Sequence, residues 1–161
     1  MIPIFIGISE RFKCVEGITQ RSILENTNSE VDITHVYPKI ESGCTGFSNV
    51  RYDIEYGIYL DCDMIVLDDI AELWAYRKPN KYVCMKDCST EVAVIDCQHQ
   101  CKNKYHHHLL PLSCDIPLIW NVEDKVIPGM KLLHFTSLKT QPWFYDHPNK
   151  EAVEIYERYN K

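Results

Sequence analysis

Apolar residues fall in short blocks separated by polar or glycine-containing stretches, and the spacing inside each block predicts its element. Met1 to Gly7 is an apolar run that ends in glycine, the pattern of a buried strand stopping where something approaches the backbone. From Arg11 to Asn26, the residues Phe12, Val15, Ile18, Thr19, Ser22 and Ile23 recur at helical spacing. Asn26-Thr27-Asn28-Ser29 supplies the stop, and Val31 to Val36 reads as a second strand. Strand, helix, strand in this order predicts a βαβ unit in an α/β sheet.

Between Tyr37 and Val50 the pattern dissolves around Pro38, Gly43 and Gly46, which predicts a loop able to fold over a ligand. Gly57 to Leu60 is a further strand that runs straight into Asp61-Cys62-Asp63, after which Met64 to Leu67 is apolar again. Asp68 and Asp69 precede Ile70-Ala71-Glu72-Leu73-Trp74, a helix with an Asp at its N-cap. Lys81 to Met85 and Val92 to Asp96 predict strands, Gln98 to His108 a helix, and Lys131 to Phe135 a late strand. Asn149 to Tyr159 is a terminal helix with Val153, Ile155 and Tyr156 on its inner face. No repeat or linker interrupts the chain, so residues 1–161 read as a single compact domain.

Charge narrows the partners. With 17 Lys+Arg against 23 Asp+Glu, the net charge of −6 argues against phosphate backbones, and no nucleic-acid partner is expected. The apolar start lacks a basic leader and is cut off by Ser9-Glu10-Arg11, too short for a signal peptide or membrane span. A cytoplasmic address is the expectation, and the 8 Cys then read as reduced thiols. Cys84-x3-Cys88 and Cys97-x3-Cys101, followed by His106, His107 and His108, offer soft ligands for tetrahedral zinc. The alternative is that these thiols behave as small apolar side chains.

The chemistry concentrates at Asp61 and Asp63. Residues i and i+2 of a strand point to one side, so the two carboxylates converge at a strand end and repel unless a cation lies between them. Oxygen ligands favour Mg²⁺ or Mn²⁺, which commonly complete their shell with substrate phosphates. The end of a strand is also where open α/β sheets bind ligands. Lys131-Leu132-Leu133-His134 delivers one histidine at the end of another apolar strand, by itself either a hydrogen-bonded structural residue or a ligand.

Five segments together resemble a known family. They are Ile2-Pro3-Ile4-Phe5-Ile6-Gly7, Thr45-Gly46-Phe47-Ser48 with Arg51, Ile58 to Val66 with Asp69 to Trp74, Lys131 to Thr136, and Gln141-Pro142-Trp143. In this order they are similar to bacterial glycosyltransferases of the family 8 type. The resemblance implies a GT-A fold, an α/β, Rossmann-like nucleotide-sugar-binding mixed sheet flanked by helices, and a metal-dependent, retaining transfer of a hexose from a UDP-sugar to a glycan or small-molecule acceptor. It implies Asp61, Asp63 and His134 as ligands of Mn²⁺ or Mg²⁺. It places Gly7 beside the nucleotide base and Arg51 toward the donor, completes the nucleotide-binding set with Ile8 and Cys62, and puts Lys139 in the stretch that contacts the diphosphate. Asp96 and Asp115 are the candidate carboxylates to support the sugar cation, while Trp120-Asn121 and Trp143 match positions near the acceptor or belong to the core.

The chain departs from the family in length, between Val36 and Gly57 and between Met85 and Pro117, and in Ile8-Ser9, where an aromatic residue and an Asp are usual. Two other readings therefore accompany the enzyme: a nucleotide-binding relative with weak or no turnover, and a zinc-stabilised interaction module.

Overall fold

In the computed structural model, residues 1–37, 54–98 and 110–161 are described. β1 (Ile2–Gly7) and β2 (Val31–Val36) run parallel, joined through α1 (Glu16–Asn26), which is the expected βαβ unit. β3 (Tyr56–Asp61) pairs parallel with the other side of β1, placing Gly7 opposite Asp61. Both strands are buried on both faces, with Ile4, Ile6, Ile58 and Leu60 in one cluster and Phe5 and Tyr59 in another. That is why they read as continuous apolar runs rather than as alternating ones.

β4 (Met64–Val66) follows the Asp61–Asp63 bend, and β5 (Tyr82–Met85), β6 (Val92–Asp96) and β7 (Leu112–Ile116) extend the main sheet. Its six strands are mixed in direction and ordered β2-β1-β3-β6-β5-β7. β6 runs antiparallel to β3, with Leu60 opposite Val92 and Tyr56 opposite Asp96. β8 (Val122–Glu123) and β9 (Leu132–His134) join β4 in a second, three-stranded sheet, where Met64 pairs with His134.

Helix α1 fixes the bend between the two sheets. Buried Thr19 points its hydroxyl at the carbonyls of Cys62 and Met64, at 2.6 and 2.7 Å, and Ser22 Oγ accepts the Val66 N–H at 3.0 Å. The small polar residues on the inner stripe of α1 therefore hold backbone groups that the bend after β3 and the open edge of β4 would otherwise leave unpaired. α2 (Lys150–Tyr159) is capped by Asn149, whose side chain accepts from the Ala152 N–H. It buries Ala152, Ile155, Tyr156 and Tyr159, an i, i+3, i+4, i+7 stripe. Val153 lies off that stripe and is half-buried, a correction of one residue to the expected inner face. The segment Ile70–Tyr76 is a 3-10 rather than an α helix, and Asp69 caps it as expected, accepting from Ala71 N–H at 2.9 Å.

The expectation of reduced thiols is corrected at one pair, because Cys88 and Cys114 form a disulfide. It ties the β5–β6 hairpin to edge strand β7. Cys84 Sγ lies 3.8 Å from Cys114 Sγ, so the third sulfur of this group is Cys114 rather than Cys97. Register sets Cys84 opposite Ala93, which leaves Cys97 four residues further on, about 13 Å away. The proposed zinc grouping is thus not assembled among the described residues; Cys101 and the three histidines lie outside them, as do most of the expected 98–108 helix and the 38–50 loop. No helix among the described residues is long and apolar enough to cross a membrane.

Candidate active site

Three elements meet at the C-terminal end of β3. Asp61 is its last residue, Asp63 sits in the bend held by α1, and His134 ends β9. The Phe135 N–H donates to the Asp63 carbonyl at 3.0 Å, locking the bend to the end of β9. One ligand atom from each of Asp61, Asp63 and His134 falls within 4.8 Å of the others. The carboxylate pair and the late histidine, some seventy residues apart in sequence, are brought together.

Neighbouring groups orient each member. His134 Nδ1 is 2.9 Å from Asn121 Oδ1, and since an amide oxygen only accepts, Nδ1 carries the proton. Nε2 then faces Asp63 Oδ1 at 3.2 Å. Tyr59 donates to Asp61 Oδ1 at 2.9 Å, and Gln141 Nε2 reaches Asp63 Oδ2 at 3.5 Å while donating to the Phe135 carbonyl at 3.0 Å. Tyr59 and Gln141 fall in the segments that carry the family resemblance but have no role assigned there, and Asn121 reads only as an acceptor-side position. The signal in the sequence was the adjacency of Asn121 to Trp120 ahead of the strand that ends in His134, and of Gln141 to Pro142-Trp143 just after it.

Crowding of negative charge shapes the titration of the site. Burial, and then the charge of Asp63, raise the Asp61 carboxyl to about 7, against the opposing pull of His134 and the Tyr59 hydrogen bond. For His134, burial opposes protonation, but the hydrogen bond and charge of Asp63, with Asp61 behind it, outweigh burial and raise the imidazole above its ordinary value. Buried acidic groups that hold protons in place of a counter-ion are the arrangement a cation would displace. Two carboxylates and one oriented imidazole form a donor set that fits a divalent ion, and the residues present therefore suit the metal that the sequence implies.

Other expected residues take different places. Gly7 is at the site, and its missing side chain makes room for Tyr59: a Cβ there would stand 2.0 Å from the phenol oxygen. The group that approaches this backbone is thus the residue that holds Asp61. Ile8 is 1% exposed and packs in the main core, so its side chain faces away from any ligand. Cys62 likewise turns inward, and burial, with Asp63 and Asp61 adding to it, raises its thiol well above the usual range.

Asp96 sits beside Tyr56, at the opposite end of β3 from Asp61, about 16 Å away along the strand, and it accepts the Asn80 N–H at 2.7 Å. Asp115 is on β7, three strands or about 14 Å across the sheet from β3, paired with Lys78 at 2.8 Å. Neither is brought to the triad. Lys139 is exposed on the turn from Ser137 to Thr140, and Arg51 lies outside the described residues. Trp120 is core, and Trp143 joins Phe12, Phe135 and Tyr156 in an aromatic cluster.

A six-stranded mixed sheet flanked by helices is a GT-A-like fold. Solved structures bear this out. The chain superposes on the glycosyltransferase GlyE of Streptococcus pneumoniae with a TM-score of 0.71 at 13% identity, covering 99% of this chain and 60% of GlyE. The galactosyltransferase LgtC, solved in complex with donor and acceptor sugar analogues, matches with a TM-score of 0.68 at 10% identity over 98% of this chain and 96% of LgtC. The bifunctional glycosyltransferase WbbM gives 0.66 at 13% identity, where the chain covers about half of it, 51%. No family model and no curated protein sequence matches the chain.

Proposed function

We propose that this chain is a metal-dependent, retaining glycosyltransferase that moves a hexose from a UDP-sugar to a glycan or small-molecule acceptor. The observation that carries the proposal is the convergence of Asp61, Asp63 and His134 at the ligand-binding end of a glycosyltransferase-type sheet. It agrees with the resemblance to family 8, in which an Asp-x-Asp motif and a late histidine serve this role. One imidazole among carboxylates favours Mn²⁺ over Mg²⁺, which prefers oxygen alone. A divalent ion there supplies Lewis-acid stabilisation of charge on the leaving diphosphate.

The residues themselves have distinct tasks. Asn121 keeps Nε2 of His134 turned toward the carboxylates, and Tyr59 and Gln141 hold one oxygen each of Asp61 and Asp63. Thr19 fixes the bend that sets the spacing between them. Lys139, on the exposed turn after β9, and Arg51 remain the basic groups proposed for the diphosphate.

A second reading, nucleotide binding without turnover, is favoured by the placement of Asp96 and Asp115 far from the triad. The two separate in one assay: incubate the protein with a panel of UDP-hexoses, with and without Mn²⁺, and follow UDP release and the anomer of the released sugar. Transfer predicts Mn²⁺-dependent release with retained configuration, abolished in Asp61→Asn and Asp63→Asn. Tight UDP binding with no release from any donor would establish the second reading instead.

A further inference from the structure

The β5–β6 hairpin brings one more carboxylate to this site. The Asp61 N–H donates to the carbonyl of Glu91 at 3.1 Å, extending by one residue the register in which Leu60 opposes Val92. Residues opposed on antiparallel strands project to the same face with Cβ atoms about 5 Å apart. Glu91 therefore shares a face with Asp61 and Tyr59. Its Oε2 is shielded from solvent and has no hydrogen-bond partner among the described residues. Its charge acts on both Asp61 and His134. Yet Glu91 is not among the groups whose ligand atoms converge. It stands beside the ligand set, not within it.

We propose that Glu91 is the carboxylate that faces the reacting sugar and stabilises the positive charge developing at its anomeric carbon; this rests on reading the site as a glycosyl-transfer centre. With the diphosphate at the triad, the anomeric carbon lies just beyond the phosphate oxygen it is bonded to, in the neighbourhood that Glu91 lines. As that C–O bond breaks, its electron pair leaves with UDP, and the sugar takes on oxocarbenium character. The acceptor oxygen then forms the new bond at the same carbon, and its proton passes to the departing phosphate oxygen. A carboxylate with one oxygen shielded and unpartnered is costly in a resting protein, and it is effective where positive charge appears transiently, because little water screens that oxygen. Asp96 and Asp115 cannot take this part, since each is remote and hydrogen-bonded elsewhere.

The test is Glu91→Gln, which keeps shape and removes charge, compared with wild type for Mn²⁺ affinity, UDP affinity, kcat and KM. The expected result is unchanged Mn²⁺ and UDP binding, an unchanged KM, and a kcat lower by about 100-fold or more. Azide should restore UDP release in Glu91→Ala, where the small anion occupies the place of the lost carboxylate. A Glu91→Gln variant with wild-type kcat would overturn the proposal. So would one that loses Mn²⁺ binding together with turnover, which would make Glu91 a support of the metal ligands. Wild-type protein that neither binds UDP nor releases it from any donor would instead remove the reading of the site itself.

Discussion

Asn121 Oδ1 accepts the Nδ1 proton of His134 at 2.9 Å, and that one bond decides which nitrogen of the ring faces Asp61 and Asp63. The two residues come from different elements: Asn121 from the turn before β8, His134 from the end of β9, which pair in parallel with Glu123 opposite His134. Removing such an outer partner typically weakens metal binding 10- to 100-fold. Asn121→Ala should therefore bind Mn²⁺ about 10- to 100-fold more weakly than wild type in a calorimetric titration. Unchanged affinity would mean that packing alone orients the ring.

Gly7 and Tyr59 are coupled in the same way. A methyl group at position 7 would meet the Tyr59 phenol oxygen at 2.0 Å and its ring carbon at 2.7 Å, so the ring must move off Asp61. Gly7→Ala is expected to cost about 1–3 kcal/mol in urea unfolding, the usual cost of overpacking. It should also weaken Mn²⁺ binding, whereas Tyr59→Phe should weaken binding with a smaller loss of stability.

The crowded carboxylates give the metal-free protein a pH signature. Asp61 is raised from 3.8 to about 7 on folding, so the folded state holds a proton that the unfolded chain has already released. Stability from this group is complete below about pH 3.8 and is lost as pH rises through about 7, and the raised His134 acts in the same direction. Metal-free protein should accordingly resist urea better at pH 5.5 than at pH 8. Adding Mn²⁺ should remove or reverse that difference, and Mn²⁺ affinity should climb with pH until both Asp61, at about 7, and the raised His134 have released their protons.

Much of this was legible in the chain. β1 and β3 announced themselves because buried central strands leave continuous apolar runs, α1 and β2 through the spacing and the stop between them, and Asp61, Asp63 and His134 stood at the ends of apolar segments. What the sequence concealed was direction. Asp96 ends an apolar strand just as Asp61 does, but β6 runs against β3, so the two carboxylates lie at opposite ends of the sheet. The same reversal carries Cys97 away from Cys84 and brings Glu91, at the start of β6, next to Asp61. Asn121 and Gln141 act through contacts that only the docking of β8 and β9 creates, whereas Tyr59 reaches Asp61 from two residues earlier on the same strand, at the same-face spacing the sequence does contain.

The disulfide between Cys88 and Cys114 closes a loop across 26 residues, and in the chain-entropy account such a loop contributes about 3.5 kcal/mol. Cys114→Ser should lose about that much stability under non-reducing conditions and little under reducing ones. In Cys88→Ser, Cys84 is left 3.8 Å from the freed Cys114, and peptide mapping after mild oxidation should recover a Cys84–Cys114 linkage. Free thiols at both positions would show that the strands hold these two sulfurs apart.

The central claim is that Asp61, Asp63 and His134 hold a metal against a nucleoside diphosphate. Its most direct test is calorimetric titration of UDP into the protein with and without Mn²⁺, repeated on Asp63→Ala. The account predicts binding that requires both the ion and Asp63. Equal UDP binding in the absence of Mn²⁺, or in Asp63→Ala with Mn²⁺ present, would contradict it.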